Sequence, residues 1–247
     1  MLSTLLLANP VQAHFGMVIP SSDVASQDKK TVAFNLSFSH PFELSGMELA
    51  KPKHFSVFVD GKTEDLLPNL SPRTIMGKQG WTTNYKIKRP GVYQFLMEPQ
   101  PYWEPAEDVF IIHYTKTIVA AFGADTDWDV PMGAPVEIVP LTRPFGNYEN
   151  NSFTGQVLVN GKPAPNTEVE VELYNEKNRL KAPSDYHVTQ VVKTDANGVF
   201  TFSTSSYGWW GFAALTEADY TMKHEKTEKH VELGGVLWVR FDQVETN

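Results

Sequence analysis

The stretch "FTGQVLVNGKPAPNTEVEVELYN", residues 153–175, contains two apolar runs separated by a turn. Asn160 and Gly161 favour a hairpin because both residues tolerate a positive φ angle. The second run alternates acidic and apolar residues with a period of two, which is typical of a strand with one face against a core. The pattern therefore predicts paired antiparallel strands with Glu168, Glu170 and Glu172 facing water.

Similar runs of β-branched and aromatic residues occur on both sides of this stretch, including "TVAFNLSF" from Thr31 and "DVFIIHYTKTIVAAF" from Asp108. Helical periodicity is hard to find. Residues 140–152, "PLTRPFGNYENNS", are rich in proline and asparagine and separate two groups of such runs. We therefore predict an all-β fold of two tandem antiparallel β-sandwiches, immunoglobulin-like or transthyretin-like, over residues 14–145 and 146–247.

Residues 1–13 form an apolar segment that ends in a Val-x-Ala pattern just before His14. This pattern predicts a signal peptide that is cleaved between Ala13 and His14. The segment has no basic n-region, so its start is expected to lie upstream of Met1. Export of a chain without cysteine favours a periplasmic location.

The composition narrows the classes of function. The 247 residues include no cysteine and carry a net charge of -8, which excludes thiolate metal sites and argues against a nucleic-acid partner. After cleavage no stretch reaches the ~20 apolar residues of a membrane span. The sequence contains no G-x-S-x-G elbow, phosphate-binding glycine loop or H-E-x-x-H helix. We therefore expect a binding protein and not an enzyme.

Two histidines stand at positions that suit metal binding. At a processed N-terminus, His14 offers its α-amine and its imidazole Nδ1 to one metal ion. His40, in "FSHPFE", ends an alternating strand and is followed by Pro41, with Glu43 as a weaker candidate ligand within reach. The alternatives are an exposed N-terminal histidine without a role, and a strand-ending histidine bonded to a backbone carbonyl.

A third histidine, His113, shares a strand face with Val109 and Ile111. The motif "YWEPAED" directly upstream brings the carboxylates of Glu104 and Glu107 close to it in the sequence, and both are weaker candidate ligands. A histidine on an apolar face is also compatible with a hydrogen-bonded core residue. Among the remaining histidines, His54, His224 and His230 lie in charged segments and are predicted to be surface residues, whereas His187 opens a strand and its role stays open.

The motifs "AHFGMVIPS", "SHPFELSGMELAKP", "PYWEPAEDVFIIHYTK" and "GWWGFAAL" together resemble a bacterial periplasmic family associated with nickel and cobalt uptake. Members of that family are described as periplasmic components of energy-coupling-factor-type nickel/cobalt transporters. The resemblance implies metal-binding roles for His14, His40 and His113. The second half of the chain also resembles transthyretin-like, carboxypeptidase-regulatory-like sandwiches.

The resulting expectation is a periplasmic binding protein that captures Ni²⁺ or Co²⁺ and passes it to the membrane components of an uptake transporter. Imidazole, amine and carboxylate donors suit these ions, and Cu²⁺ or Zn²⁺ are alternatives for the same donors. Two other functions stay open at this point. One is a copper redox protein with a histidine brace, and the other is an adhesive or scaffolding tandem sandwich that binds no metal.

Overall fold

The computed structural model describes residues 13–244, and it confirms the all-β prediction. Regular structure there consists of strands and two 3₁₀ helices, Leu67–Asn69 and Asp185–His187. Neither helix has the length or apolar character needed to cross a membrane, and no other helix occurs in this part of the chain. The predicted signal peptide lies, apart from Ala13, outside the described residues.

Twelve strands precede residue 145. They are β1 (Phe15–Pro20), β2 (Val24–Ala25), β3 (Thr31–His40), β4 (Ser45–Met47), β5 (His54–Val59), β6 (Lys62–Asp65), β7 (Ser71–Ile75), β8 (Lys78–Lys86), β9 (Gly91–Glu98), β10 (Tyr102–Glu104), β11 (Val109–Ala121) and β12 (Val136–Pro140).

Ten strands follow it. They are β13 (Asn147–Tyr148), β14 (Ser152–Val159), β15 (Lys162–Pro163), β16 (Glu168–Leu173), β17 (Gln190–Lys193), β18 (Val199–Ser203), β19 (Gly208–Glu217), β20 (Met222–His224), β21 (Thr227–Lys229) and β22 (Val231–Asp242).

The strands form one large sheet, two smaller sheets and a separate hairpin. The large sheet has eleven strands, with the path β17-β16-β19-β22-β11-β9-β5-β6. A five-stranded sheet has the order β1-β3-β8-β7 with β4 on β3, and a four-stranded sheet has the order β12-β14-β15 with β18 on β14. Strands β20 and β21 pair only with each other.

A parallel pairing of β11 with β22 joins the two halves of the chain into the large sheet. Its register runs from Phe110 opposite Val231 to Thr117 opposite Trp238. Strand β12 also crosses the predicted boundary, because it lies before residue 145 but pairs with β14 after it. Neighbouring sequence patterns indicate hairpins only, so they did not reveal this long-range parallel pair.

The two smaller sheets cover opposite faces of the large one and form two cores. Phe34 from β3 packs with Phe55 and Phe95 on the side of the five-stranded sheet. Phe153 and Phe212 pack together on the side of the four-stranded sheet. Burial of each such aromatic or aliphatic side chain contributes roughly 1.5–3 kcal/mol to folding. The two cores therefore stabilise the packing of each smaller sheet on the large sheet, which gives two sandwiches.

Strand β1 closes a third, smaller apolar cluster. Phe15 and Met17 pack against Trp209 and Trp238 on the C-terminal half of the large sheet, and the indole of Trp238 donates a 2.8 Å hydrogen bond to the carbonyl of Gly16. The sandwich halves are therefore tied together at the strand that begins directly after His14.

The prediction that Glu172 faces water is wrong. Its side chain is buried, whereas Glu168 on the same strand is exposed and Glu170 is half-buried. The reason is that the second face of β16 is covered at this end by the turn after β3, where the Phe42 N–H donates to the Glu172 carboxylate. Alternation reports which face a residue is on, but not whether a distant loop covers that face.

A buried ion pair stabilises the middle of β11. Lys116 Nζ donates to Glu137 Oε1 over 2.6 Å, and the same carboxylate accepts hydrogen bonds from the backbone N–H groups of Met132 and Gly133. Burial lowers the pKa of Lys116, and the Glu137 charge opposes that shift. The two buried charges therefore offset each other, and removal of one partner leaves the other charge buried without its counter-ion.

Replacement of Lys116 by Met should lower the free energy of unfolding by about 3–5 kcal/mol, because Glu137 would keep its charge in the core. The matched control is Lys193→Met, which breaks the exposed ion pair with Glu168 and should cost less than about 1 kcal/mol. Urea denaturation of both variants measures the difference. Equal, small losses would show that the buried charge is not held in the core.

Candidate metal centre

The register between β1 and β3 places His14 and His40 side by side. Phe15 pairs with Ser39 and Gly16 with Phe38 in an antiparallel ladder. Continued by one residue, the same register puts His14 opposite His40, and their ring centroids are 4.7 Å apart. Strand pairing thus places His14 and His40 opposite each other and directs their side chains to the same face of the sheet.

Strand β11 brings the third histidine to the same place. The Gly16 N–H donates to His113 Nδ1 over 3.4 Å. The ring of Phe38 lies with its centroid 5.8 Å from that of His14 and 5.7 Å from that of His113. The three predicted histidines, which are far apart in the sequence, therefore meet around one phenylalanine.

The two carboxylates predicted from "YWEPAED" also lie here. Glu104 Oε2 is 3.0 Å from His14 Nε2, and Glu104 Oε1 accepts a 2.9 Å hydrogen bond from the Ala106 N–H. Glu107 Oε1 is 3.9 Å from His14 Nδ1. Strand β10, which ends at Glu104, is held by its antiparallel pairing with β11. Glu104 is therefore a fixed acceptor for His14, while Glu107 lies at the half-exposed rim.

His14 is neutral at neutral pH. Burial and, to a smaller extent, charge repulsion from His40 and His113 lower its pKa to about 4, although Glu104 opposes the shift. A carboxylate can only accept a hydrogen bond, so the single ring hydrogen of neutral His14 lies on Nε2. Its Nδ1 then keeps a free lone pair, and Nδ1 is the nitrogen that can form a chelate with the residue's own backbone nitrogen.

His40 is oriented by the residue before His14. Its Nδ1 is 2.8 Å from the carbonyl oxygen of Ala13, which can only accept. The ring hydrogen is therefore on Nδ1, and Nε2 keeps the lone pair. The accepting carbonyl belongs to the peptide bond that the predicted signal-peptide cleavage would cut.

His113 differs from the other two because both of its nitrogens are engaged. Its Nδ1 accepts from Gly16, and its Nε2 donates to Glu232 Oε1 over 3.2 Å. A Cβ atom added to Gly234, which faces His113 across the β11–β22 pair, would lie 2.4 Å from the imidazole Cδ2. His113 is thus a tightly packed floor under the site.

Glu232 and Gly234 were missed by sequence reasoning. Both belong to "HVELGGVLW", whose paired glycines show only that something approaches the backbone closely. The partner becomes visible once β11 and β22 are known to pair.

The other residues considered from sequence lie elsewhere. Glu43 is exposed, and its charge contributes to a raised pKa at Glu172. His54 is exposed, and His224 stacks on Trp103 with ring centroids 3.9 Å apart.

The cluster is not a complete metal cage as it stands. Within residues 13–244, no three His, Asp or Glu side chains are arranged to hold one metal ion. The two imidazole lone pairs that hydrogen bonding leaves free are His14 Nδ1 and His40 Nε2. A third nitrogen has to come from elsewhere, and His14 carries one in its own backbone.

The sequence matches the family described as Domain of unknown function (DUF4198) over residues 11–218. The chain belongs to this family. The matched region includes all three histidines of the cluster and ends before Glu232. No curated protein matches the chain.

Several solved structures are distantly similar to this DUF4198 protein. The D0–D1 domain of intimin is 12% identical and covers 91% of this chain and 99% of its own, with a TM-score of 0.24. The major pilin subunit BcpA of Bacillus cereus is 12% identical, covering 93% and 66%, with a TM-score of 0.22. Fibronectin(III)-like modules of Clostridium thermocellum CbhA are 9% identical, covering 94% and 100%, also at 0.22.

The turn after His40 is anchored by a buried carboxylate. Glu172 Oε1 accepts from the Phe42 N–H over 2.9 Å, and Oε2 accepts from the Thr189 hydroxyl over 3.0 Å. Burial raises the pKa of Glu172 to about 8, although these two hydrogen bonds oppose the shift. A residue outside the cluster therefore holds the chain two residues beyond His40.

Because the pKa of Glu172 is higher in the folded than in the unfolded chain, its contribution to stability is full below about pH 4.5 and is lost as pH rises through about 8. Glu172→Gln should therefore flatten the pH dependence of the unfolding free energy over that window, by a few kcal/mol. Denaturation across pH 5 to 8, roughly the titration window, provides the measurement. Burial raises the pKa of Glu170 to about 7, so part of the slope should remain in Glu172→Gln. The exposed Glu168→Gln control should keep the wild-type slope, and an undiminished slope in Glu172→Gln would contradict the assignment.

Proposed function

We propose that the mature chain, starting at His14, is a periplasmic binding protein for Ni²⁺ or Co²⁺ that passes the ion to the membrane components of an uptake transporter. One observation carries the proposal. Glu104 holds the hydrogen of neutral His14 on Nε2, so its Nδ1 lone pair is free directly beside His40. The resemblance to a nickel- and cobalt-associated family supports the choice of ion and partner.

Cleavage before His14 would complete a three-nitrogen donor set. It converts the amide nitrogen of His14 into an α-amine, whose pKa near ~8 makes deprotonation inexpensive at neutral pH. It also removes the Ala13 carbonyl that accepts from His40 Nδ1. The amine and Nδ1 of His14 then form a chelate, and His40, released from Ala13, supplies an imidazole nitrogen from the neighbouring strand.

The surroundings suit an ion that is cargo. Imidazole and amine nitrogens bind Ni²⁺ and Co²⁺. The site has no thiolate, the soft ligand that holds zinc or copper(I) tightly. Glu107 lies at the rim, close to His14 Nδ1, where a carboxylate can assist entry and exit of the cation. His113 joins the ion only if its hydrogen bond to Glu232 is given up.

A second candidate function is a copper redox protein. The same amine and two imidazole nitrogens are the donor set of a copper histidine brace, and nitrogen sites of this kind bind Cu²⁺ more tightly than Ni²⁺ in general. Tight copper binding alone does not separate the two functions. Oxygen consumption by the copper-loaded protein in the presence of a reductant would favour the redox function, and its absence would favour the uptake function.

The N-terminal chelate predicts that one extra residue before His14 weakens metal binding. Protein exported and processed to His14 should bind Ni²⁺ stoichiometrically, whereas the same chain with one added alanine should lose at least about tenfold in affinity, because its first donor is an amide. His40→Ala should show a similar loss, and the exposed His54→Ala should not. Isothermal titration calorimetry measures all four, and unchanged affinity in the extended chain would refute the chelate.

Glu104 is predicted to act through His14. Glu104→Gln should lower Ni²⁺ affinity by roughly 10–100-fold without removing a ligand, because a neutral amide supports the imidazole less strongly than a carboxylate. The matched control is Glu217→Gln, which alters the exposed Glu217–His230 pair. Titration together with a stability measurement separates lost affinity from unfolding. Equal affinities in the two variants would assign Glu104 a purely structural role.

A further inference from the structure

A preformed cavity lies directly beside the histidine cluster. Its volume is about 260 Å³, and its lining is mostly apolar. Gly16, Phe38 and His113 belong both to this lining and to the cluster. Leu49 and Met97 form apolar wall, and exposed Ala50 stands at the rim.

Hydrogen bonds fix the wall formed by residues 48–50. The Leu49 N–H donates to the Gln79 carbonyl over 3.0 Å, and the Trp81 indole donates to the Leu49 carbonyl over 3.0 Å. The opposite wall contains Pro99 and Pro101, whose φ angles are fixed by their rings. The cavity is therefore built into the fold and does not depend on a mobile loop.

Two carboxylates lie at or near the cavity. Glu48 belongs to its lining and is exposed, and Glu104 follows the lining residues Tyr102 and Trp103 and is hydrogen-bonded to His14. Apolar walls with two carboxylates close by suit an occupant that has an apolar or ring-containing body and carries positive charge.

The donor set proposed for the metal leaves coordination positions open. Three nitrogens fill at most three corners of the square-planar or tetragonal arrangement that Ni²⁺ adopts with nitrogen and oxygen ligands. Phe38 stacks on His14 and also lines the cavity. A chelating molecule held in the cavity would therefore border the histidine cluster, and we expect its donor atoms to fill the open positions.

We infer that this cavity binds the organic part of a metal chelate, a small ring-bearing amino-acid-like chelator, so that the protein captures the ion together with its chelator. This inference rests on the proposed function. It names the substrate class more closely: a cationic metal–chelator complex in place of the free ion. L-Histidine, with an imidazole ring, an amine and a carboxylate, is the probe that matches the size and chemistry of the cavity.

Equilibrium dialysis of the mature protein with Ni²⁺ and radiolabelled L-histidine tests the inference. Labelled histidine should be retained in step with bound nickel and should not be retained when nickel is omitted. Ala50→Trp places a large ring at the rim and should reduce histidine retention by at least about tenfold, while Ni²⁺ alone binds as in the wild type. Ala196→Trp, in an exposed turn remote from the cavity lining, is the matched control and should retain histidine normally.

Each outcome is decisive. Nickel bound without labelled histidine, or stripped from the protein by it, would overturn the inference and leave the proposed metal-binding function intact. Histidine retained equally by Ala50→Trp would place the chelator elsewhere and also overturn it. Failure of Ni²⁺ to bind in the absence of histidine, with no recovery when histidine is added, would overturn both.

Discussion

The parallel pairing of β11 with β22 is the constraint on which the rest of the structure depends. Residues on one face of β11 belong to the core under the five-stranded sheet, and residues on the other face belong to the core under the four-stranded sheet. The pairing therefore lets two sandwiches share one central strand. It also sets Gly234 opposite His113, where a residue with a Cβ atom would clash with the imidazole.

The site is built on that rigid strand and completed by two less extensive elements. His113 is fixed from below by Gly234 and from above by Gly16, where an added Cβ would lie 2.1 Å from the Thr115 hydroxyl oxygen. Strand β1 then adds His14, and the end of β3 adds His40. His113 is therefore packed in the middle of a strand, whereas His14 and His40 lie at strand ends. The two imidazoles with free lone pairs are those nearest the predicted cleavage point.

Local patterns predicted the strands, and they brought to attention three histidines that lie together in the structure, because both depend on alternation and chain order. The motif "YWEPAED" was expected to bring Glu104 close to His113, and the structure places the Glu104 carboxylate against His14. The rest depends on contacts between remote segments. Glu232 reaches His113 only through the parallel pair, and Glu172 is buried only because the turn at Phe42 covers it. Neither contact leaves a periodic mark in the sequence.

The hydrogen-bond pattern decides which nitrogens of the cluster can bind a cation. A neutral imidazole has one lone pair, and each partner that can only accept fixes the ring hydrogen on the nitrogen it faces. Carboxylate Glu104 therefore frees one nitrogen on His14, and carbonyl Ala13 frees one on His40 in the chain before cleavage, whereas the N–H of Gly16 occupies the lone pair of His113. Rotation of the His113 ring to recover that lone pair is opposed by the close packing of Gly16 and Gly234. In the proposed function the third nitrogen is therefore the α-amine, and the site is created by processing of the chain as much as by its folding.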